Sequence, residues 1–143
     1  MAVSLKFYHD AALTQEVTSL APALAQQDVA NSLPPVQKQL WLGSVATGFT
    51  FKAQSNPGVD NITVSPADAN GATGQTTAAL KLASSQAGLA AAVAGASLTL
   101  VPTITSGVSN AITFWVEIND LTAVAGSYTD LSLTTNPLFE NPV

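Results

Sequence analysis

The chain has 143 residues, of which only 9% are charged, and it contains four Lys, no Arg, one His and no Cys. Because enzyme mechanisms draw on general acids and bases, activated nucleophiles, metals or oriented cations, this inventory argues against catalysis, and the absence of Cys removes thiol redox chemistry and thiolate zinc sites. The net charge of -5 argues against binding to nucleic acids and to anionic membranes, both of which attract clusters of positive side chains.

A strand is predicted at the start of the chain, over residues 3–8. Apolar and polar side chains alternate there, so one face of the strand is apolar and Tyr8 lies on the other. Residues 9–12 are predicted to turn, and residues 13–18 to return as a short strand. The opening residues have no basic leader before an apolar run, so we expect no export by the general secretory route.

The next segment, residues 20–37, lacks a clear hydrophobic period and is rich in Ala, Gln and Asn. Near its end lie two adjacent prolines, Pro34 and Pro35, which lack backbone donors and favour extended structure. We therefore predict an extended connection or arm over residues 20–37 rather than a helix.

Regular alternation returns in three segments that are predicted as strands, residues 38–42, 49–53 and 61–65. The residues between them, 43–48 and 56–58, carry the Gly, Pro, Asn and Ser that are typical of turns. Strands joined by short turns predict an antiparallel meander.

The second half of the chain continues this pattern. A strand is predicted over residues 78–83, and one or two helical turns over residues 86–95, where Ala is frequent but Gly limits the length. Another strand is predicted to start at Leu98 and to continue past Pro102, an edge or bulge residue. The last predicted strands cover residues 112–118 and 128–134, and an extended C-terminal tail covers residues 136–143.

These elements predict an all-β fold. We expect a single domain over residues 1–143, with an immunoglobulin-like antiparallel β-sandwich and at most one short helix. A jelly roll is the main alternative architecture. The alternation also predicts the core, whose expected members are Leu5, Phe7, Leu40, Leu42, Phe49, Phe51, Ile62, Val64, Leu80, Leu82, Leu98, Leu100, Phe114, Val116, Leu131 and Leu133.

Few side chains suggest a chemical site. His9 and Asp10 lie near Glu16, but no Ser or Cys motif accompanies them, and a histidine in a solvated turn explains the pair. Asp60, Asp68 and Asn70 offer oxygen atoms as calcium ligands, yet their spacing lacks the acidic pattern of an EF-hand loop, and turn roles explain them equally well. We predict no catalytic residue, no metal ligand and no cofactor.

The aromatic side chains are more informative. Trp115 lies opposite the apolar face of its strand, and Trp41 lies opposite the face that its neighbouring leucines define. Tyr8 and Tyr128 are out of phase with the core in the same way. An outward aromatic side chain needs a cover, which is either another segment of the chain or a partner subunit. The predicted partner interface consists of Tyr8, Trp41, Trp115, Tyr128, Leu138 and Phe139.

Three segments carry a resemblance to a known class of proteins. They are Leu5-Lys6-Phe7-Tyr8-His9-Asp10-Ala11-Ala12-Leu13-Thr14, then Leu40-Trp41-Leu42-Gly43-Ser44 with Asn56-Pro57-Gly58-Val59-Asp60-Asn61-Ile62, and finally Phe114-Trp115-Val116-Glu117-Ile118 with Tyr128-Thr129-Asp130-Leu131-Ser132-Leu133. In strand and turn pattern they resemble small virion proteins of tailed bacteriophages. The resemblance spans most of the chain.

The resemblance implies a decoration, or cement, protein that binds the outer surface of an icosahedral head, commonly at junctions between capsomers. Such a protein has no catalytic residues. Its expected partner is the major capsid protein, and self-association is expected, with a homotrimer favoured. The implied location is the capsid exterior of the virion, after synthesis in the host cytoplasm.

The alternative function is a carbohydrate-binding or adhesive β-module of a phage tail fibre or similar appendage, in which Trp41 or Trp115 stacks on sugar rings. A sugar site is expected to gather one or two aromatic side chains with Asp or Asn in a concave patch. A cement surface is expected to be broad and flat and to include the chain termini.

Overall fold

The structure is a computed structural model that describes residues 4–18, 36–68, 77–119 and 131–143. These residues form ten strands and three short 3-10 helices, which confirms the predicted all-β fold. The strands are β1 (Lys6–Tyr8), β2 (Val36–Gly43), β3 (Phe49–Ala53), β4 (Thr63–Asp68), β5 (Leu80–Ala83), β6 (Leu98–Thr99), β7 (Thr103–Thr105), β8 (Ile112–Ile118), β9 (Leu131–Thr135) and β10 (Leu138–Pro142). The 3-10 helices are Thr77–Ala79, Ala87–Ala91 and Val108–Asn110, and the second falls within the predicted helical turns.

The first layer of the fold is a four-stranded antiparallel sheet in the order β1-β2-β8-β5. In its centre, β2 and β8 place Leu40 beside Phe114 and Trp41 beside Thr113. Side chains alternate between the two faces of a strand, and Leu40 and Phe114 are buried, so Trp41 and Thr113 point away from the interior. The predicted faces of the two central strands are therefore confirmed.

The second layer consists of two three-stranded antiparallel sheets that lie end to end. The strand orders of these two sheets are β10-β3-β7 and β9-β4-β6. Each strand of one sheet is continued along the chain by the strand in the same position of the other sheet, since β9 leads into β10, β3 into β4, and β6 into β7. Thus β3 and β4 are successive parts of one interrupted central strand. We call each such interrupted strand a line, and we call residues 54–61, which join β3 to β4, the excursion. Pro102 and Pro137 interrupt the flanking lines at the level of this excursion, since proline cannot donate to a ladder. Gln54 donates its backbone N–H to the carbonyl of Pro137 at 2.9 Å, which ties the central line to its neighbour there.

This arrangement corrects the predicted meander. The three segments predicted to pair with one another do form strands, but β2 belongs to the first layer, while β3 and β4 follow one another in the second. The turn residues after β2 therefore mark a crossing between layers and not a hairpin. A short connection limits how far apart two strands lie, but the pairing itself is decided by residues distant in sequence.

The strand order within the sandwich differs from that of an immunoglobulin domain. When each line of the second layer is counted as one strand, the sixth of the described strands lies between the second and the fourth in the first layer. Immunoglobulin constant domains place their fifth strand in that position. The predicted two-layer antiparallel sandwich is therefore confirmed, with a strand order that differs from that of immunoglobulin constant domains.

The core lies between the two layers. All sixteen residues predicted for it belong to it, some buried and others half-buried against them. The rings of Phe7 and Phe114 pack edge to face, with their centroids 5.9 Å apart. The buried members of this core that the sequence prediction omitted are Ala53, Ile104 and Leu138.

The predicted C-terminal tail, residues 136–143, contains a strand of the second layer and is not a free arm. Within it, β10 pairs along its whole length with β3, and Leu138 is only 2% exposed. Val143 donates its backbone N–H to the carbonyl of Gly48 at 2.8 Å, so the alternation of an antiparallel ladder directs the nitrogen of Pro142 away from β3. Because β10 lies at the edge of its sheet, Pro142 removes no ladder hydrogen bond.

We expect that replacing Gly43 by Ala destabilises the fold by about 1–3 kcal/mol, because the added methyl group has no room. Its carbon would lie 2.8 Å from the Cβ of Ala111 and 2.9 Å from the Cδ1 of Leu13. Urea denaturation measures the loss, and the double substitution G43A/A111G should recover part of it. An unchanged midpoint in G43A would contradict this close packing.

Candidate functional site

The outward face of the first layer carries both tryptophans. The strand register places Trp41 directly beside Thr113, and Trp115 directly beside Gln39. The two tryptophans are therefore diagonal neighbours, a separation that large side chains can span. Trp41, Trp115 and Gln39 are half-buried and Thr113 is exposed. We call these four residues the tryptophan face.

A depression of about 580 Å³ opens beside Trp41, at one end of the tryptophan face. Its lining residues are Ala11, Trp41, Val108, Ser109 and Ala111. One wall comes from the turn after β1 and the other from the 3-10 helix Val108–Asn110. Because none of these lining side chains is charged, the depression suits a neutral group.

The turn that forms the first wall is held in place by Asp10 and Leu13. The Asp10 carboxylate accepts backbone hydrogen bonds from Thr14 and Gln15, each at 3.0 Å. Leu13 has a φ of 54°, in the left-handed region that is costly for a residue with a side chain. Its side chain is buried above Gly43, and this burial offsets the backbone cost.

The other end of the tryptophan face meets a polar row on the same side of the sheet. Gln37 donates to Glu117 at 3.1 Å, and the Nζ of Lys81 lies 3.6 Å from the Oε2 of Glu117. Gln86, which precedes the 3-10 helix Ala87–Ala91, donates to Gln37 at 3.0 Å. The charges of Lys81 and Glu117 offset one another, so this row adds no net charge beside the tryptophans.

The polar atoms of the tryptophan face are not used within the described part of the chain. Among those residues, the side chains of Gln39, Thr113, Trp41 and Trp115 make no hydrogen bond. The polar row beside them differs, because its amides and charges bond to one another. The tryptophan face thus combines two half-buried indoles and a half-buried amide with one exposed hydroxyl.

A second outward face belongs to β10, β3 and β7 in the other layer. Its side chains form two rows across the sheet, Asn141 with Thr50 and Thr105, and Phe139 with Lys52 and Thr103. We call these six residues the C-terminal face. Phe139 is 44% exposed, and Lys52 is the only charged member. This face is an open sheet surface that includes the C-terminal strand.

The structure divides the predicted interface residues among four environments. Trp41 and Trp115 lie together on the tryptophan face, and Phe139 lies on the opposite side of the sandwich. Tyr8 and Leu138 need correction as interface residues, because they are only 5% and 2% exposed.

Tyr8 does point outward from β1, but the returning chain covers it through a bridge to Glu16, and Leu138 points into the core. Tyr128 lies outside the described residues, as does all of the predicted arm over residues 20–37 except its last two residues, which begin β2. A single surface cannot contain all six predicted residues.

Two titratable groups at the edge of the first layer, Asp10 and Tyr8, have shifted pKa values. A hydrogen bond from the Thr14 hydroxyl, followed by one from the Gln15 backbone, lowers the pKa of Asp10. Burial raises the pKa of the Tyr8 phenol, and the charges of Glu16 and Asp10 add to this effect. Neither shift creates a group that titrates near pH 7.

The carboxylates considered as metal ligands have local roles or lie apart. Asp60 accepts a hydrogen bond from the Ser55 hydroxyl at 2.6 Å within the excursion between β3 and β4, while Asp68 ends β4. Within the described segments, no group of three or more His, Cys, Asp or Glu side chains is close enough to hold a metal ion.

Sequence reasoning missed two members of the tryptophan face, Gln39 and Thr113. Both share the outward phase of the tryptophans along their own strands, and this is the signal that identifies them. Their place beside a tryptophan depends on the pairing of β2 with β8, which joins residues more than seventy positions apart, as Gln39 and Trp115 show.

Comparison with protein-family models, with curated proteins and with solved structures finds no match to this chain. Among the described residues, no helix is long and apolar enough to cross a membrane.

Proposed function

We propose that this chain is a structural virion protein that binds the outer surface of a phage capsid and has no enzymatic activity. Two observations support this proposal. The strand and turn segments of the chain resemble those of small phage virion proteins, and the C-terminal face is an open sheet surface. In this proposal the partner is the major capsid protein, the protein acts as a homo-oligomer, and a homotrimer is favoured. It is made in the host cytoplasm and resides on the capsid exterior.

The observation that carries the proposal is the composition of the C-terminal face. It places one exposed aromatic side chain, Phe139, among hydroxyl and amide groups with a single charge. An aromatic anchor with a single charge beside it suits a protein interface, where aromatic residues are enriched and charges are depleted from the centre.

We expect Phe139→Ser to weaken binding to capsids by about five- to thirtyfold, which corresponds to about 1–2 kcal/mol. The substitution removes an exposed aromatic anchor and leaves Leu138 in the core. Co-sedimentation with capsids of the encoding phage, prepared without this protein, measures the effect. Val59→Ser is a matched control, because Val59 is also an exposed apolar residue, at 68%, but lies in the excursion between β3 and β4.

Binding should also change little across a salt series, because Lys52 is the only charge on the C-terminal face. The proposed surface is wrong if F139S binds as tightly as the unchanged protein. Release of the protein by moderate salt alone would equally count against it.

The alternative function, a carbohydrate-binding module, has support on the opposite side of the molecule. There two tryptophans lie as diagonal neighbours beside a concave surface, with Gln39 and Thr113 in place of the Asp or Asn expected at a sugar site. The two functions require different faces and are therefore compatible in one protein.

A further inference from the structure

We infer that the tryptophan face is a binding site for a neutral oligosaccharide, placed on the side of the sandwich opposite to the C-terminal face. The inference rests on the arrangement of Trp41, Trp115, Gln39 and Thr113, and it stands whether or not the protein attaches to a capsid.

Apolar surfaces and hydrogen-bonding groups alternate on the tryptophan face. Each tryptophan has a polar side chain directly beside it on the neighbouring strand, Thr113 beside Trp41 and Gln39 beside Trp115. A pyranose ring has the matching character, because its C–H groups form an apolar face and its hydroxyls project around the edge. An indole covers the apolar face while an amide or hydroxyl bonds to the edge.

The polar groups of the tryptophan face are also free to bind a ligand. Among the described residues, the side chains of Gln39 and Thr113 make no hydrogen bond, and neither does the ring N–H of either tryptophan. In contrast, the adjacent Gln37 is bonded to both Glu117 and Gln86. The four residues therefore keep the donors and acceptors that a hydroxyl-rich ligand requires.

The charged side chains around the tryptophan face indicate which kind of sugar it suits. Two ion pairs lie on this side of the first layer, Lys81 with Glu117 and Lys6 with Glu16, each at 3.6 Å, and the depression beside Trp41 has no charged lining residue. A site for an acidic glycan would present an unpaired cation, which none of these residues supplies. The face thus matches an uncharged sugar.

The shape extends the site beyond one ring. The depression of about 580 Å³ continues from Trp41 toward Val108 and Ser109, while Trp115 lies diagonally on the other side. Two stacking positions and an adjoining concavity fit an oligosaccharide better than a single monosaccharide. We therefore place successive sugar units over Trp115 and Trp41, with the chain directed into the depression.

The inference is tested with the full chain and defined glycans. An array of neutral and acidic glycans identifies ligands, and titrations with maltohexaose, cellohexaose and chitohexaose, followed by tryptophan fluorescence, give affinities. We expect saturable binding to at least one neutral oligosaccharide. Trp41→Ala and Trp115→Ala should each weaken it by at least about tenfold, and the array should show no preference for acidic glycans.

Two further variants separate a binding role from a structural one. Thr113→Val retains the shape of an exposed side chain but removes the hydroxyl, and Gln39→Leu removes the amide, so each should weaken glycan binding while the protein stays folded. Val59→Ser is the control that should bind like the unchanged protein.

Absence of binding to every glycan, a preference for acidic glycans, or full binding by the tryptophan variants would each overturn the inference. Capsid co-sedimentation distinguishes it from the proposed function. Capsid binding should survive the Trp41 and Trp115 substitutions and respond to Phe139→Ser, while glycan binding should show the opposite pattern.

Discussion

Replacing Phe114 by Ala should lower the free energy of unfolding by about 3–5 kcal/mol, the usual cost of truncating a buried aromatic side chain. Phe114 is fully buried at the centre of the first layer, beside Leu40 and in edge-to-face contact with Phe7. Its removal loses apolar burial and leaves a cavity that the rigid sheets on both sides cannot close. Urea denaturation followed by circular dichroism measures the loss.

The adjacent residue provides a matched control. Thr113 lies on the same strand but points to solvent, so Thr113→Ala should cost about 1 kcal/mol or less. A midpoint that is unchanged in F114A, or lowered more in T113A, would mean that the two faces of β8 are assigned the wrong way round.

Deleting residues 138–143 should abolish cooperative folding or nearly so. The deletion removes β10, an edge strand that pairs with β3 over five residues, together with the core side chain of Leu138. Leu138→Ala alone should cost about 2–5 kcal/mol. Because small domains are stable by only about 5–15 kcal/mol, the loss of that side chain and of the whole ladder exceeds what the fold can tolerate.

Phe139 provides the control for this prediction. It follows Leu138 directly, but its side chain is exposed on the C-terminal face, so Phe139→Ala should change stability by about 0.5 kcal/mol or less. A truncated chain that unfolds with the same midpoint as the full chain would show that residues 138–143 contribute nothing to the folded sandwich.

The tryptophan face illustrates how much of a candidate site is predictable. The sequence predicts that Trp41 and Trp115 point outward, because the apolar residues on either side of each define the opposite face. It does not predict that the two are neighbours, since that depends on the register of β2 against β8. Their relation to Gln39 and Thr113 depends on the same long-range pairing.

Tyr8 and Leu138 show why the exposure of two predicted interface residues was wrongly predicted. The alternation in β1 places Tyr8 outward correctly, but only the tertiary structure shows that the following turn folds back over it. Around Leu138, the prolines at 137 and 142 suppress the local strand signal. Both prolines are tolerated because one lies between strands and the other directs its nitrogen away from β3.

By itself, the sequence determined which side chains of most strands face the core, because strand side chains alternate with a period of two and burial selects the apolar phase. It also placed both ends of β3 and of β8, through local turn residues. Only the tertiary structure decided that β3 and β4 form one interrupted line, that β8 lies between β2 and β5, and that the tryptophans and Phe139 occupy opposite faces. The physical reason is that pairing and layer assignment depend on contacts between distant segments, whereas alternation and turns are properties of a few consecutive residues.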